Sequence, residues 1–162
     1  LNVSRPAFAV DAMLGNLARK LRILGFDAKY SSSIEDDGLI RLSKEGNRVI
    51  VTKDEALMKR AEKMGLTTVL IRGNEEIDQI IQITARLGLS DFVMDTNSSR
   101  CVNCNGRLES IDKGKIMNKV PAGIYERQNQ FWICTDCEKV YWEGTHFVKL
   151  QEFVAKLNHR LK

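Results

Sequence analysis

The sequence predicts an α/β protein: a parallel sheet flanked by helices, followed by a small four-cysteine module and a C-terminal helix. Two observations predict this. Residues 7–90 alternate short β-rich runs with stretches of helical periodicity, the pattern of strands joined by crossover helices. Beyond them lie two Cys-x-x-Cys pairs, Cys101 with Cys104 and Cys134 with Cys137. At 162 residues the chain holds one α/β unit of about 90–100 residues and an appendage, in keeping with usual domain sizes.

Residues 7–10 form the first expected strand, and Leu14, Leu17, Ala18, Leu21 and Leu24 then recur at helical steps until Gly25. A strand near residues 28–30 precedes a short helix over about residues 36–44, with Gly46 expected at its left-handed cap. Residues 48–51 are the next strand. The helix after it carries Leu57, Ala61 and Met64 on one face and ends at Gly65. A strand over residues 67–71 and a helix over residues 75–87, with Ile77, Ile80, Ile81 and Ile83 as its apolar face, complete four βα repeats. The polar stretch 95–99 is the natural boundary, giving an α/β domain over 1–95, a cysteine module over 96–147 and a helix over 148–162. In that last helix Leu150, Phe153, Val154 and Leu157 stand at i, i+3, i+4 and i+7, a face expected to pack back on one of the domains.

The net charge is +4, and its distribution is uneven. Residues 1–95 carry 14 basic and 14 acidic side chains, whereas residues 96–162 carry 11 and 7, so the surplus lies in the cysteine module and the final helix. A mildly basic module favours a polyanion without demanding one, and a solvated surface of ordinary lysines accounts for the charge as well. No stretch approaches the roughly 20 apolar residues of a membrane span, and the start lacks a basic region followed by an apolar run. A cytoplasmic protein with no membrane association is expected.

Two residues between cysteines let a tight turn aim both sulfurs at one point, and two such turns complete the tetrahedral thiolate site that zinc accepts. Cys101, Cys104, Cys134 and Cys137 are therefore expected to bind one structural Zn²⁺. Two disulfides are disfavoured in a reducing interior, and a redox Cys-x-x-Cys needs no second pair. Asn105-Gly106 suits the positive-φ turn of the first knuckle, and residues 131–132 and 140–142 read as hairpin strands carrying the second, their aromatics more readily core than a base-stacking platform. The long stretch between the pairs requires an extra hairpin or loop. His146 is a conceivable further ligand, but a hydrogen-bonded structural role suits it better.

Asp11 follows the first strand, Asp36 and Asp37 open the second helix, and Asp54 follows the third strand. In an open parallel sheet these positions share one edge, where ligands bind. Carboxylates gathered without histidine or cysteine favour Mg²⁺ or Mn²⁺, ions suited to activating water and offsetting phosphodiester charge. The alternative is helix capping: residues 52–55 fit a capping box, Ser33 with Asp36 fits a looser one, and acids at helix starts complement the dipole. Arg19 and Arg22, one turn apart on the polar side of the first helix, are candidates to face a phosphate backbone, or else a solvated surface.

The run of residues 11–27, DAMLGNLARKLRILGFD, resembles the start of the PIN-like RNase family named for the C-terminal domain of the Mut-seven exonuclease. Asp36-Asp37, Thr52-Lys53-Asp54, the run 100–106 and the run 141–146 carry the resemblance across nearly the whole chain. It implies a PIN-like α/β fold followed by a zinc ribbon, and an endonucleolytic ribonuclease whose catalytic Mg²⁺ or Mn²⁺ is held by Asp11, Asp37 and Asp54, with Asp36 as a possible substitute for Asp37. Asn74 and Glu75 are further candidates after the last strand. Lys53 stands where the family is expected to carry arginine, and Glu138 replaces a knuckle glycine. RNA is the expected partner. The rival expectation is a non-catalytic RNA-binding or scaffold protein. A phospho-accepting receiver domain fits less well, because Asp11 stands alone and the fourth strand runs into Arg72 rather than lysine.

Overall fold

The computed structural model describes residues 5–162. Its first sheet is parallel and built from β1 (Ala7–Val10), β2 (Ala28–Tyr30), β3 (Arg48–Thr52) and β4 (Thr68–Leu70). The strand order is β2-β1-β3-β4. The helices between and after the strands are α1 (Gly15–Ile23), α2 (Asp36–Gly46), α3 (Glu55–Lys63) and α4 (Glu76–Leu87). Alternation along each strand assigns its side chains to two layers. Phe8, Val10, Val51 and Val69 share one core with Leu17, Leu21, Ile80 and Ile83 of α1 and α4, while Ala9 and Ile50 share the other with Leu39 of α2 and Leu57 of α3. Burial on both faces is why these strands read as nearly unbroken apolar runs.

The chain leaves β1 toward β2 on one side, then crosses to β3 on the other. That reversal opens a crevice between the carboxyl ends of β1 and β3, the usual ligand position in an open α/β sheet.

Two helix ends differ from expectation. The left-handed cap falls on Asn47 (φ 50°, ψ 49°), because α2 continues through Gly46. A short amide side chain tolerates that conformation. α3 stops at Lys63, so Met64 is its cap residue and is 45% exposed rather than buried beside Leu57 and Ala61. Gly25 does end α1, at φ +91°, and a Cβ there would lie 2.8 Å from the Ser98 carbonyl oxygen.

The second sheet is antiparallel, in the order β5 (Leu108–Ile111), β6 (Phe131–Cys134) and β7 (Val140–Tyr141). The added length between the cysteine pairs is taken up by β5 and a short helix, α5 (Ala122–Arg127). The final helix, α6 (Thr145–Leu161), buries Val154 and Leu157 in the core beside α1 and α4. Asn158 pins it by exchanging hydrogen bonds with the Phe92 backbone at 2.9 and 2.7 Å.

The ribbon is tied to the α/β unit by polar contacts that satisfy otherwise orphaned groups. Asn105 accepts from the Ala28 amide at 3.0 Å and donates to Asp27 at 2.7 Å, and Asp27 is also held by Arg48 at 2.7 and 3.0 Å. The Arg100 amide and the Ser99 hydroxyl donate to the carbonyls of Arg22 and Ile23 at the end of α1. Among the described residues no helix is long and apolar enough to cross a membrane.

Candidate active site and metal centre

Val10 and Val51 are register partners, so Asp11 and Asp54 leave adjacent strands at the same edge. Thr52, fully buried, joins them: its hydroxyl donates to Asp11 Oδ2 at 2.6 Å and accepts from the Asp54 amide at 3.0 Å. Asp11 Oδ1 accepts from Ala12 N at 2.7 Å, so both carboxylate oxygens are used as acceptors. Asp54 is the N-cap of α3, and its Oδ1 accepts from Ala56 and Leu57 N at 2.9 and 3.2 Å. The capping role weighed from the sequence is therefore real for Asp54, although Asp54 itself, not Thr52, is the cap.

Asp36 and Asp37 differ sharply. Burial, then the charges of Asp54 and Asp11, push the Asp36 carboxyl above the ordinary aspartate range, so Asp36 lies in the field of both other acids. Asp37 instead pairs with Arg60 of α3 at 2.5 Å. The acid oxygens are looser than the sulfurs of the ribbon. Among the described residues, only the four cysteines form a group of three or more with ligand atoms all within 4.8 Å of one another.

Beside the acids, a cavity of about 340 Å³ runs along the start of α1 and is lined by Ala12, Asn16, Tyr30, Lys53, Asn74 and Glu76 among others. Ala12 and Lys53 are the chain neighbours of Asp11 and Asp54, so the cavity opens next to the acidic edge. Lys53 donates to Asn74 Oδ1 at 2.7 Å, which brings Asn74 to this edge, while Glu75 is exposed at the start of α4.

The four cysteines are free, with Sγ separations of 3.6 Å for Cys101–Cys137 and 3.4 Å for Cys104–Cys134. Thiolates about 2.3 Å from a tetrahedral zinc stand at similar mutual distances, so the cluster is compatible with structural zinc. Burial opposes ionisation of Cys101, but the Tyr141 hydroxyl at 3.0 Å and the amides of Cys104 and Asn103 bring its thiol down to about 7. Burial and the neighbouring sulfurs push Cys104 up to about 12. Zinc coordination uses the thiolate form of each ligand, so binding of the ion is coupled to loss of the thiol protons. Asn105 supplies the left-handed turn of the first knuckle at φ +71°, and Glu138 that of the second at +63°. Gly106 is needed for space: a Cβ would meet Cys134 Sγ at 2.6 Å.

Arg22 corrects the sequence reading. It is 4% exposed rather than on the polar side of α1, and it donates to the Ala28 and Val102 carbonyls at 2.9 Å each, binding β2 to the first knuckle. Arg19 is exposed and lines a groove between α1 and the ribbon. His146 is exposed on the same groove and makes no hydrogen bond among the described residues, so the structural role expected for it is not observed. Thr52, Asp27, Arg48 and Asn105 escaped the sequence reading as a set. Thr52, two residues before Asp54, and Asn105, at the knuckle turn, carried local signals, but not for these contacts.

The family model described as Mut7-C RNAse domain matches residues 6–154. Comparisons with curated proteins and with solved structures return no match. The match spans the parallel sheet, the acidic edge, both cysteine pairs and most of α6, and on that extent the chain belongs to the Mut7-C RNase domain family.

Proposed function

We propose that the protein is a divalent-metal-dependent ribonuclease that cuts RNA phosphodiester bonds internally, in RNA processing or turnover, with Asp11, Asp36 and Asp54 holding Mg²⁺ or Mn²⁺. The observation that carries this reading is the Thr52 bridge between Asp11 and Asp54 at the switch-point crevice, with Asp36 in the field of both. Family membership supports RNA as substrate. Asp36 is taken as the third acid in preference to Asp37 because Arg60 already engages Asp37, whereas Asp36 lies in the field of Asp54 and Asp11.

Three carboxylates at one edge, built only of hard oxygen donors, suit a hard dication. A divalent ion there would supply Lewis acidity toward the phosphoryl group and make water easier to deprotonate. The chain's own residues prepare the site. Thr52 and Ala12 fix the Asp11 rotamer, Asp54 keeps Oδ2 free while Oδ1 caps α3, and exposed Asp36 closes by side-chain rotation. Lys53 adds a positive charge at the same edge for the phosphate. In the ribbon, the four cysteines hold a closed structural zinc that stabilises folding and leaves no open position for chemistry.

The second reading, a non-catalytic RNA-binding scaffold, is favoured by Asp54 already capping α3. Cleavage assays separate the two. Zinc-loaded protein is incubated with end-labelled single-stranded and hairpin RNAs and Mn²⁺ or Mg²⁺, with Asp11→Asn and Asp54→Asn alongside. Asparagine caps helices as well as aspartate, so the folds should survive. Internal cuts by the parent and their loss in both variants are expected; equal activity in all three proteins would end the catalytic assignment.

A further inference from the structure

The larger groove, about 860 Å³, lies between α1, the ribbon and the start of α6. Its wall is unevenly charged. Arg19, Lys20, Arg100, Arg127 and Lys139 face one acid, Glu76, among the described residues lining it. Glu76 is already paired with Lys20 at 3.1 Å, and neither Arg19 nor Arg127 has a hydrogen bond or ion pair among the described residues. Two unspent guanidinium groups lining one cleft create a field that attracts a polyanion. Partly exposed aromatics interleave with them: Trp142 and Phe147 line the same groove. Buried Phe131 packs edge-on against Trp142 at 6.4 Å, leaving that indole supported from behind.

Asn16 and Glu76 line both this groove and the smaller cavity beside Asp11 and Asp54. The two form one path. It starts on the ribbon, passes the N-terminal half of α1 and ends at the acidic edge.

We propose that this groove binds a single-stranded RNA segment, its phosphates against Arg19 and Arg127 and a base against Trp142, and guides the strand past Asn16 to the acids. The inference rests on the ribonuclease reading for the destination of the strand, but not for its binding. Single-stranded RNA fits better than duplex because stacking on a side chain requires an unpaired, splayed base, whereas an A-form helix presents phosphates and 2′-hydroxyls. The ribbon thereby acts as substrate wall as well as structural module, which gives its basic surplus a use.

The test measures anisotropy of a fluorescein-labelled twelve-nucleotide oligouridylate, and of a duplex of equal length, with zinc-loaded protein and no added Mg²⁺ or Mn²⁺. Arg19→Glu/Arg127→Glu is compared with Lys59→Glu/Lys63→Glu, an identical charge change on the exposed side of α3. The groove pair should weaken single-strand binding at least about tenfold and flatten the slope of log K against log salt by about 1.4, the value for two lost phosphate contacts. The α3 pair should change affinity less than about twofold in the same salt. Trp142→Ala, checked for zinc content, should also weaken binding. Equal loss in both charge pairs, duplex bound as tightly as single strand, or no binding by the parent would overturn the inference. Cleavage with Mn²⁺ distinguishes it from the reading it rests on. A parent that cuts RNA while the groove variants bind and cut normally refutes the groove alone, and a parent that binds through the groove but never cuts refutes the catalytic reading alone.

Discussion

Replacing Asn105 by alanine is expected to destabilise the entire chain rather than the ribbon alone. The side chain makes two bonds across the junction, one accepted from the Ala28 amide at 3.0 Å and one donated to the Asp27 carboxylate at 2.7 Å. A neutral hydrogen bond contributes about 1 kcal/mol and one to a charged group about 1.5–3 kcal/mol. Asp27 keeps its Arg48 partner, so the lower end applies to the second. The left-handed backbone at φ +71° adds about 1 kcal/mol against alanine. The sum is about 3–4 kcal/mol, or roughly 10 °C in Tm for a chain of this length. Asn105→Gly removes the same bonds without the backbone penalty and should lose about 1 kcal/mol less. Urea unfolding of the zinc-loaded protein is followed by far-ultraviolet circular dichroism and by tryptophan fluorescence, since Trp132 and Trp142, the two tryptophans of the chain, both lie in the ribbon. Both signals should shift together. A shift below about 0.5 kcal/mol, the size of a neutral surface substitution, or one confined to fluorescence, would refute the coupling.

Further expectations follow from single residues. Gly106→Ala forces a Cβ against Cys134 Sγ and should lower zinc stoichiometry, measured by a thiol-competing colorimetric chelator. Glu138→Gly relieves a left-handed φ of +63° and should raise stability by about 1 kcal/mol in the same urea titration. Although burial acts the other way, hydrogen bonds from Arg48 and Asn105 hold the Asp27 carboxyl below its usual range. Its stabilising contribution is therefore complete above the unfolded aspartate value and is lost as pH falls through the depressed folded value. Asp27→Asn should flatten that acid limb of the stability curve. Asp36 runs the opposite way: with its proton affinity raised by burial and by Asp54 and Asp11, Mn²⁺ affinity should begin to fall at a higher pH than an ordinary aspartate would give. Asp36→Asn should impair Mn²⁺ binding more than Asp37→Asn, measured at pH 7.

The strands and the cysteines were legible because their signals are local. Val49, Ile50 and Val51 form an apolar run with no polar interruption, and Cys-x-x-Cys carries its geometry in its own spacing. Where the outcome depended on distant partners, the reading failed. Arg22 sits one residue after buried Leu21, and nothing nearby announces that carbonyls of Ala28 and Val102 await its guanidinium. Asp36 and Asp37 are chemically identical neighbours separated by about 100° around the helix, and nothing local announces that Arg60, on a different helix, pairs with Asp37. Gly46 and Asn47 both tolerate left-handed backbone, so the exact end of α2 was undetermined by propensity. The acidic edge was anticipated from topology, but the Thr52 hydroxyl that joins its two strands requires the register of β1 against β3.

Calorimetric titration of Mn²⁺ into zinc-loaded protein examines the shared ion without requiring the right RNA. One saturable site in the parent, weakened severely by either Asp11→Asn or Asp54→Asn while circular dichroism stays unchanged, is the expected result. Parent-like Mn²⁺ binding in both variants would mean that these two carboxylates do not hold a common cation.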